Sequence, residues 1–136
     1  MYIKVDESGN LIGHTYEETE GYILVDKSDI FDCEVGAYKY KYVDNALVAL
    51  TEEEMLAHPL RIANFKVSFD NIRAQKFADT KWIRERHQEE SELEVVSSLT
   101  TEQYNAWLAY WQALRDMPNQ EGFDPENPSW PTEPAL

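Results

Sequence analysis

Apolar and polar residues alternate over short runs in the first 50 residues, a pattern typical of β-strands with one packed face and one solvated face. Tyr2, Ile3 and Val5 precede the loop "DESGN", and Leu11 and Ile12 follow it. This order predicts a hairpin closed by a glycine-containing turn. The apolar run "YILV" that follows predicts a third strand.

The segment "YKYKYVDNALVAL" predicts a further pair of strands around a turn at Asp44-Asn45. Within residues 38–42 tyrosines and lysines alternate, so the tyrosines are expected to share one face of a single strand. Together the strands predict a small antiparallel β-meander, which at this size needs a helix or a partner against its apolar face. Thr51 and Glu54 have the spacing of a capping box, so a short helix is predicted next, with Pro59 ending it.

The region from about Ser68 to Glu92 contains no glycine or proline and predicts one long helix. A break near Asp79-Thr80 is an alternative, because the apolar stripe is irregular there. The helix finishes in "IRERHQEESE", a run of charged residues that we interpret as a solvated helix face without chemistry.

A better specified helix is predicted from Thr100 to about Met117, because Thr100 and Gln103 have capping-box spacing and Pro118 follows the apolar pattern. Its apolar face is wide and combines one stripe with two flanking residues: Tyr104, Trp107, Leu108, Trp111 and Leu114, flanked by Tyr110 and Met117. One interpretation is that a partner covers the excess. The other is that the stripe packs on the preceding helix and on the tail.

The last segment, residues 118–136, holds five of the six prolines and has no helical or strand period, which predicts an extended conformation. Phe123 and Trp130 are large aromatic residues that a solvated linker has little reason to carry, so we expect this tail to dock on a surface. The predicted fold class is therefore α+β. It comprises a small N-terminal antiparallel β-meander in residues 1–60, two or three helices in 61–117 and a proline-rich tail in 118–136.

Charge narrows the range of partners. The chain has 26 acidic and 12 basic residues and a formal net charge of −14, which repels phosphate backbones and anionic lipids. Nucleic acid and membrane are therefore not expected as partners. The chain has a single cysteine, Cys33, and no basic and apolar leader at its N-terminus, so we expect a reducing cytoplasm.

The sequence offers no pattern of residues typical of catalysis. Its three histidines lie far apart, and Cys33, between Asp32 and Glu34, is expected to be a small buried or half-buried residue, because neighbouring carboxylates disfavour a thiolate. No glycine-rich phosphate loop or nucleophile elbow occurs. We therefore expect no enzyme activity, no metal site and no cofactor.

Two stretches near the C-terminus carry a family resemblance. "LTTEQYNAWLAYWQALRDMPNQEGF", residues 99–123, and "PSWPTEP", residues 128–134, resemble the C-terminal signature of the phage tail assembly chaperone family, which includes tail fibre assembly proteins of phages and prophages. Many members have an arginine at the position of Trp111, so this chain replaces a charge with an aromatic ring.

The resemblance implies a non-enzymatic factor in the host bacterial cytoplasm that helps a phage tail or tail-fibre protein to fold, oligomerise or attach. A structural tail or fibre accessory protein, retained in the virion tail, is the alternative, and self-association stays open. Aromatic residues dominate many protein interfaces. The predicted partner-binding residues are Tyr104, Trp107, Tyr110, Trp111, Phe123 and Trp130. Replacing Trp107 or Trp111 by alanine is expected to abolish soluble co-expression of the partner while leaving the protein folded.

Overall fold

The computed structural model describes residues 1–136 and divides them into two compact units, residues 1–64 and residues 65–136. The first unit contains all the strands, and the second contains most of the helical residues, so the α+β class is confirmed. The second unit also includes the proline-rich segment. The predicted segment boundaries at residues 60 and 117 stay predictions.

Seven short strands form the N-terminal unit: β1 (Tyr2–Val5), β2 (Leu11–Thr15), β3 (Ile23–Leu24), β4 (Phe31–Asp32), β5 (Ala37–Tyr38), β6 (Tyr40–Val43) and β7 (Ala46–Ala49). They pair in antiparallel fashion, as predicted, but make three sheets with the orders β2-β1-β3, β4-β5 and β6-β7. The single meander is therefore wrong in topology, because β3 returns to the free edge of β1 instead of pairing with β2.

The two predicted hairpin turns are confirmed. Gly9 has a φ of +81°, and a side chain there would collide with the carbonyl group of Tyr42, which explains the glycine. Asp44 and Asn45 have φ values of 50° and 63°, the left-handed pair that joins β6 to β7.

The alternating tyrosine and lysine segment is not one strand. Tyr38 lies in β5 opposite Phe31, whereas Tyr40 lies in β6 opposite Ala49, and Lys39 separates the two strands. Tyr38 is buried and Tyr40 is half-buried. Period-two alternation could not reveal this break, because the side-chain types continue unchanged across it.

The core of the N-terminal unit is small and consists mainly of four buried residues: Ile3, Leu11, Ile30 and Tyr38. Cys33 lies outside this core and is exposed, so the expectation of a buried or half-buried cysteine is wrong. The carboxylate of Asp32 accepts hydrogen bonds from the backbone N–H groups of Glu34 and Val35, which fixes a tight turn with Cys33 on its outer side.

The helices are α1 (Glu52–Leu56), α2 (Pro59–Glu92) and α3 (Thr101–Asp116), followed by a 3₁₀ turn at Met117–Asn119. Two of them are long, and α1 has only five residues. Pro59 is expected to end α1, and it is also the first residue of α2. Proline is tolerated there because the backbone N–H of a first-turn residue has no partner within the helix. Helix α2 continues through Asp79-Thr80 without a break. None of the helices combines the length and the apolar character that a membrane span requires.

Helix α3 begins as predicted. The Thr100 hydroxyl accepts a hydrogen bond from the backbone N–H of Gln103 at 3.1 Å, and the Gln103 side chain accepts one from the backbone N–H of Thr100 at 2.9 Å. Both bonds satisfy N–H groups that the helix leaves without a partner. After the 3₁₀ turn, residues 120–136 contain no helix or strand, and their extended conformation stays a prediction.

Candidate partner-binding surface

The six aromatic residues predicted to bind a partner come together in the C-terminal unit. Trp107, Tyr110 and Trp111 are buried in its core, with 1%, 4% and 2% of their surfaces exposed. Tyr104, Phe123 and Trp130 are half-buried and pack against the same core. The structure agrees with the second interpretation of the wide apolar face, in which α3 packs on the preceding helix and on the tail. Partner binding by these six residues stays a prediction.

Trp111 links α3 to the middle of α2. Its indole Nε1 donates a hydrogen bond to the Thr80 hydroxyl at 2.9 Å, and that hydroxyl donates to the Lys76 carbonyl oxygen at 2.8 Å. The guanidinium of Arg84 lies over the Trp111 ring at 4.5 Å, within the range of a cation–π contact. Thr80 and Arg84 thus provide the buried tryptophan with a hydrogen-bond acceptor and a cation.

Trp107 lacks such an acceptor. Its ring lies edge-on to Tyr110 at 5.6 Å and tilted against Trp111 at 5.8 Å, but its buried Nε1 has no hydrogen-bond partner. A buried donor without a partner is destabilising. The ring of Trp107 also lines a cleft of about 320 Å³, in which the exposed side chains of Trp82 and Leu136 take part.

The tail returns to α2 through two aromatic residues. The rings of Phe123 and Trp130 lie 4.7 Å and 5.0 Å from the buried ring of Phe69, and Trp130 is stacked almost parallel to it. The ammonium group of Lys76 lies 5.2 Å from the Trp130 ring. The expected docking of the tail therefore occurs within its own unit, and these contacts place Phe123 and Trp130 against the core.

The charged end of α2 organises the connection to α3. Glu90 accepts hydrogen bonds from the backbone N–H of Ser98 at 2.7 Å, from the Ser98 hydroxyl and from Arg86 Nε at 3.0 Å. The ring of His87 stacks on Tyr104 at 3.7 Å. Sequence patterns missed these contacts, because the spacing between residues 87–90 and 97–104 follows no helical or strand period. The charge run thus has a structural role.

Acid should weaken the C-terminal unit through Glu90. The hydrogen bonds from Ser98, followed by Arg86, lower the pKa of Glu90 from 4.5 to about 2. The folded protein thus binds this proton less tightly than the unfolded chain, so the stabilisation is complete above about pH 4.5 and disappears as the pH falls to about 2. NMR titration of the Glu90 carboxyl group measures the pKa, and Ser98→Ala should raise it. An unchanged pKa in Ser98→Ala would contradict the assignment.

A second surface of the C-terminal unit is basic. Two clefts share Phe77: one of about 280 Å³ is lined also by Ala78, Lys81, Arg84 and Trp111. The other, of about 420 Å³, is lined also by Asp70, Arg73, Ala74 and Arg115. We call them the Phe77 clefts. Four cations and one carboxylate line them, although the chain as a whole is strongly acidic.

No group of three or more His, Cys, Asp or Glu side chains is gathered in an arrangement that could hold a metal ion. The strands and helices together define a small α+β protein. Its helical C-terminal unit has an aromatic core, a docked tail and clefts that face solvent.

Comparison with known protein families finds a match within that unit. Residues 77–135 match the family model described as phage tail assembly chaperone protein, so the resemblance of the sequence to this family is confirmed. The match covers less than half of the chain, and all of it lies in the C-terminal unit. It includes most of the core aromatic residues, α3 and the tail. Comparisons with curated proteins and with solved structures found no match.

Proposed function

We propose that this protein is a tail assembly chaperone that binds a phage tail or tail-fibre protein and assists its folding, oligomerisation or attachment. The observation that carries the proposal is the family match over residues 77–135, the part of the chain that holds the aromatic core and the tail. The function is non-enzymatic and operates in the cytoplasm of the bacterial host, where the tail is assembled.

A helper of this kind has to hold its partner without precipitating with it. Unpaired strand edges and apolar surfaces of an unassembled protein promote aggregation. A binder that prefers the unassembled protein holds it in a complex and thereby lowers the concentration of the free, aggregation-prone form. The net charge of −14 supports this function, because it keeps a complex with exposed apolar surface in solution.

We propose that the partner binds the outer surface of the folded C-terminal unit. The buried aromatic residues take part through the clefts that their rings line: Trp111 in a Phe77 cleft and Trp107 in the cleft beside Trp82. The other four aromatic residues support that surface through the core. Tyr110 is part of the buried core, and the three that pack against it are Tyr104, Phe123 and Trp130.

Co-expression tests the proposal. The tail or tail-fibre protein encoded nearest to the gene of this chain is produced in bacteria with and without it, and the soluble fraction of that protein is measured. We expect the soluble fraction to increase severalfold and the two proteins to co-purify. An unrelated acidic protein of similar size is the control. An equal soluble fraction with and without the chain would contradict the proposal.

Mass spectrometry of purified particles distinguishes a chaperone from the structural alternative. A chaperone leaves its partner before the particle is complete, so we expect no peptides of this chain in the particle. Their presence at a fixed ratio to the tail protein would instead identify a structural accessory protein of the tail or fibre.

A further inference from the structure

We propose that the Phe77 clefts bind a segment of the partner that combines carboxylate and apolar side chains. The identity of that partner as a phage tail protein rests on the proposed function, whereas the chemistry of the segment follows from the clefts alone. Their floor is aromatic and their rim is cationic, so the complementary segment is acidic and amphipathic.

The cations of the rim differ in how far they are already neutralised. Arg73 is paired with Asp70 at 3.2 Å, and Lys81 is paired with Glu85 at 2.9 Å. Arg84 and Arg115 form no ion pair. Their guanidinium groups lie over Trp111 at 4.5 Å and over Phe77 at 5.5 Å. Two guanidinium groups at one surface therefore keep their hydrogen-bond donors available.

An arginine held over an aromatic ring is well prepared to bind a carboxylate. The ring restricts the side chain, so less rotamer entropy is lost on binding than for an unrestrained arginine. The planar group can then donate two parallel hydrogen bonds to one carboxylate. Arg84 and Arg115 are thus each prepared to bind a carboxylate, and each lies over a different ring.

The apolar floor sets the second requirement. Phe77 is half-buried and common to both clefts, and Ala74 and Ala78 beside it are small and exposed, so they leave room above the helix. Burying an apolar side chain there removes its surface and that of Phe77 from water, which favours binding. An acidic residue without an apolar neighbour would leave this floor uncovered.

The surroundings favour a short acidic segment over a nucleic acid. Charges act over about 8–10 Å in physiological salt, so a segment that stays within the clefts experiences mainly their cations. A nucleic acid carries a charge on each nucleotide and extends past the clefts. It would meet the carboxylates of a chain that has 26 acidic residues. The same repulsion opposes anionic lipid surfaces.

Fluorescence anisotropy with labelled peptides tests the inference on the full-length protein. The probes are three short peptides of equal length in which leucine alternates with glutamate, with lysine or with glutamine. We expect the glutamate peptide to bind at least about tenfold more tightly than the other two, and its affinity to fall as salt is added. Equal affinities for the three peptides would overturn the inference.

The double variant Arg84→Gln/Arg115→Gln locates the site. Glutamine keeps part of the aliphatic stem but removes the charge, so we expect binding of the glutamate peptide to weaken about tenfold or more. The matched control is Lys4→Gln/Lys66→Gln, which removes two exposed positive charges that do not line the clefts. We expect the control to bind like the unmodified protein. Equal weakening in both variants would overturn the assignment to the clefts.

Two further results would also overturn it. A single-stranded DNA oligonucleotide that binds more tightly than the glutamate peptide would identify a nucleic-acid site. Self-association that disappears in Arg84→Gln/Arg115→Gln would show that a second copy of the chain occupies the clefts. If the double variant unfolds, Arg115→Gln alone replaces it, because Arg115 is exposed and forms no ion pair.

Failure of the inference can be separated from failure of the proposed function. If the glutamate peptide binds but the soluble tail protein does not increase, the clefts bind acidic segments and the chaperone role is rejected. If the soluble tail protein increases but the peptide does not bind, the chaperone role is supported and the clefts are rejected as its binding site.

Discussion

Replacing Trp111 by alanine should destabilise the C-terminal unit by about 3–5 kcal/mol, the range for removing a large aromatic side chain from a packed core. The ring is only 2% exposed and has the Thr80 hydroxyl as its hydrogen-bond acceptor and the Arg84 guanidinium over its face. Its removal leaves a cavity and separates these contacts. The sequence leads to the expectation that the alanine variant stays folded, whereas the burial of Trp111 predicts a large loss of stability, because this residue packs α3 against α2.

Urea unfolding followed by tryptophan fluorescence measures the effect. All four tryptophans lie in the C-terminal unit, so their fluorescence reports on that unit, and three remain in the variant. Leu108→Ala is the control, since Leu108 lies on the same helix but is 42% exposed. We expect a small change for Leu108→Ala. Similar unfolding midpoints for both variants would show that Trp111 is not part of the core.

Replacing Phe69 by alanine should cost about 3–5 kcal/mol as well and should also release the tail. Phe69 is 2% exposed, and both tail aromatics, Phe123 and Trp130, rest on its ring. Without that ring the two side chains lose their shared contact. We expect the backbone amides of residues 120–136 to exchange hydrogen faster with solvent than in the unmodified protein.

Hydrogen exchange measured by mass spectrometry locates this effect, and Ile72→Ala is the matched control. Ile72 lies on the same helix and is 47% exposed. Its replacement should leave exchange in the tail unchanged. Equal exchange in the tails of Phe69→Ala and the unmodified protein would mean that other contacts hold the tail in place.

Local chemistry explains which elements could be predicted from the sequence. The start of α3 follows from Thr100 and Gln103, because a capping box needs only residues three positions apart. The hairpin turns follow from Gly9 and Asp44-Asn45, since few residues adopt a positive φ at low cost. The family resemblance likewise rests on a continuous string of residues. Each of these features is contained in a short segment of chain.

Features that depend on distant residues could not be predicted. The width of the apolar face of α3 does not show whether a partner or α2 covers it, and the contact of Trp111 with Thr80 spans 31 positions in the chain. No pattern in the sequence marks Phe69, although the two tail aromatic residues pack on its ring. The Phe77 clefts combine α2 with Arg115 of α3, and no sequence period connects these residues.

The central claim is that a partner binds the surface of a C-terminal unit that stays folded, with its aromatic core closed. Hydrogen exchange on the complex with the co-purified tail or tail-fibre protein tests this claim most directly. We predict slower exchange than in the free protein for residues 73–84 of α2, which carry most of the rim of the Phe77 clefts, and unchanged or slower exchange for α3. Faster exchange throughout α3 in the complex would contradict the claim, because it would show that the core opens to expose Trp107 and Trp111 to the partner.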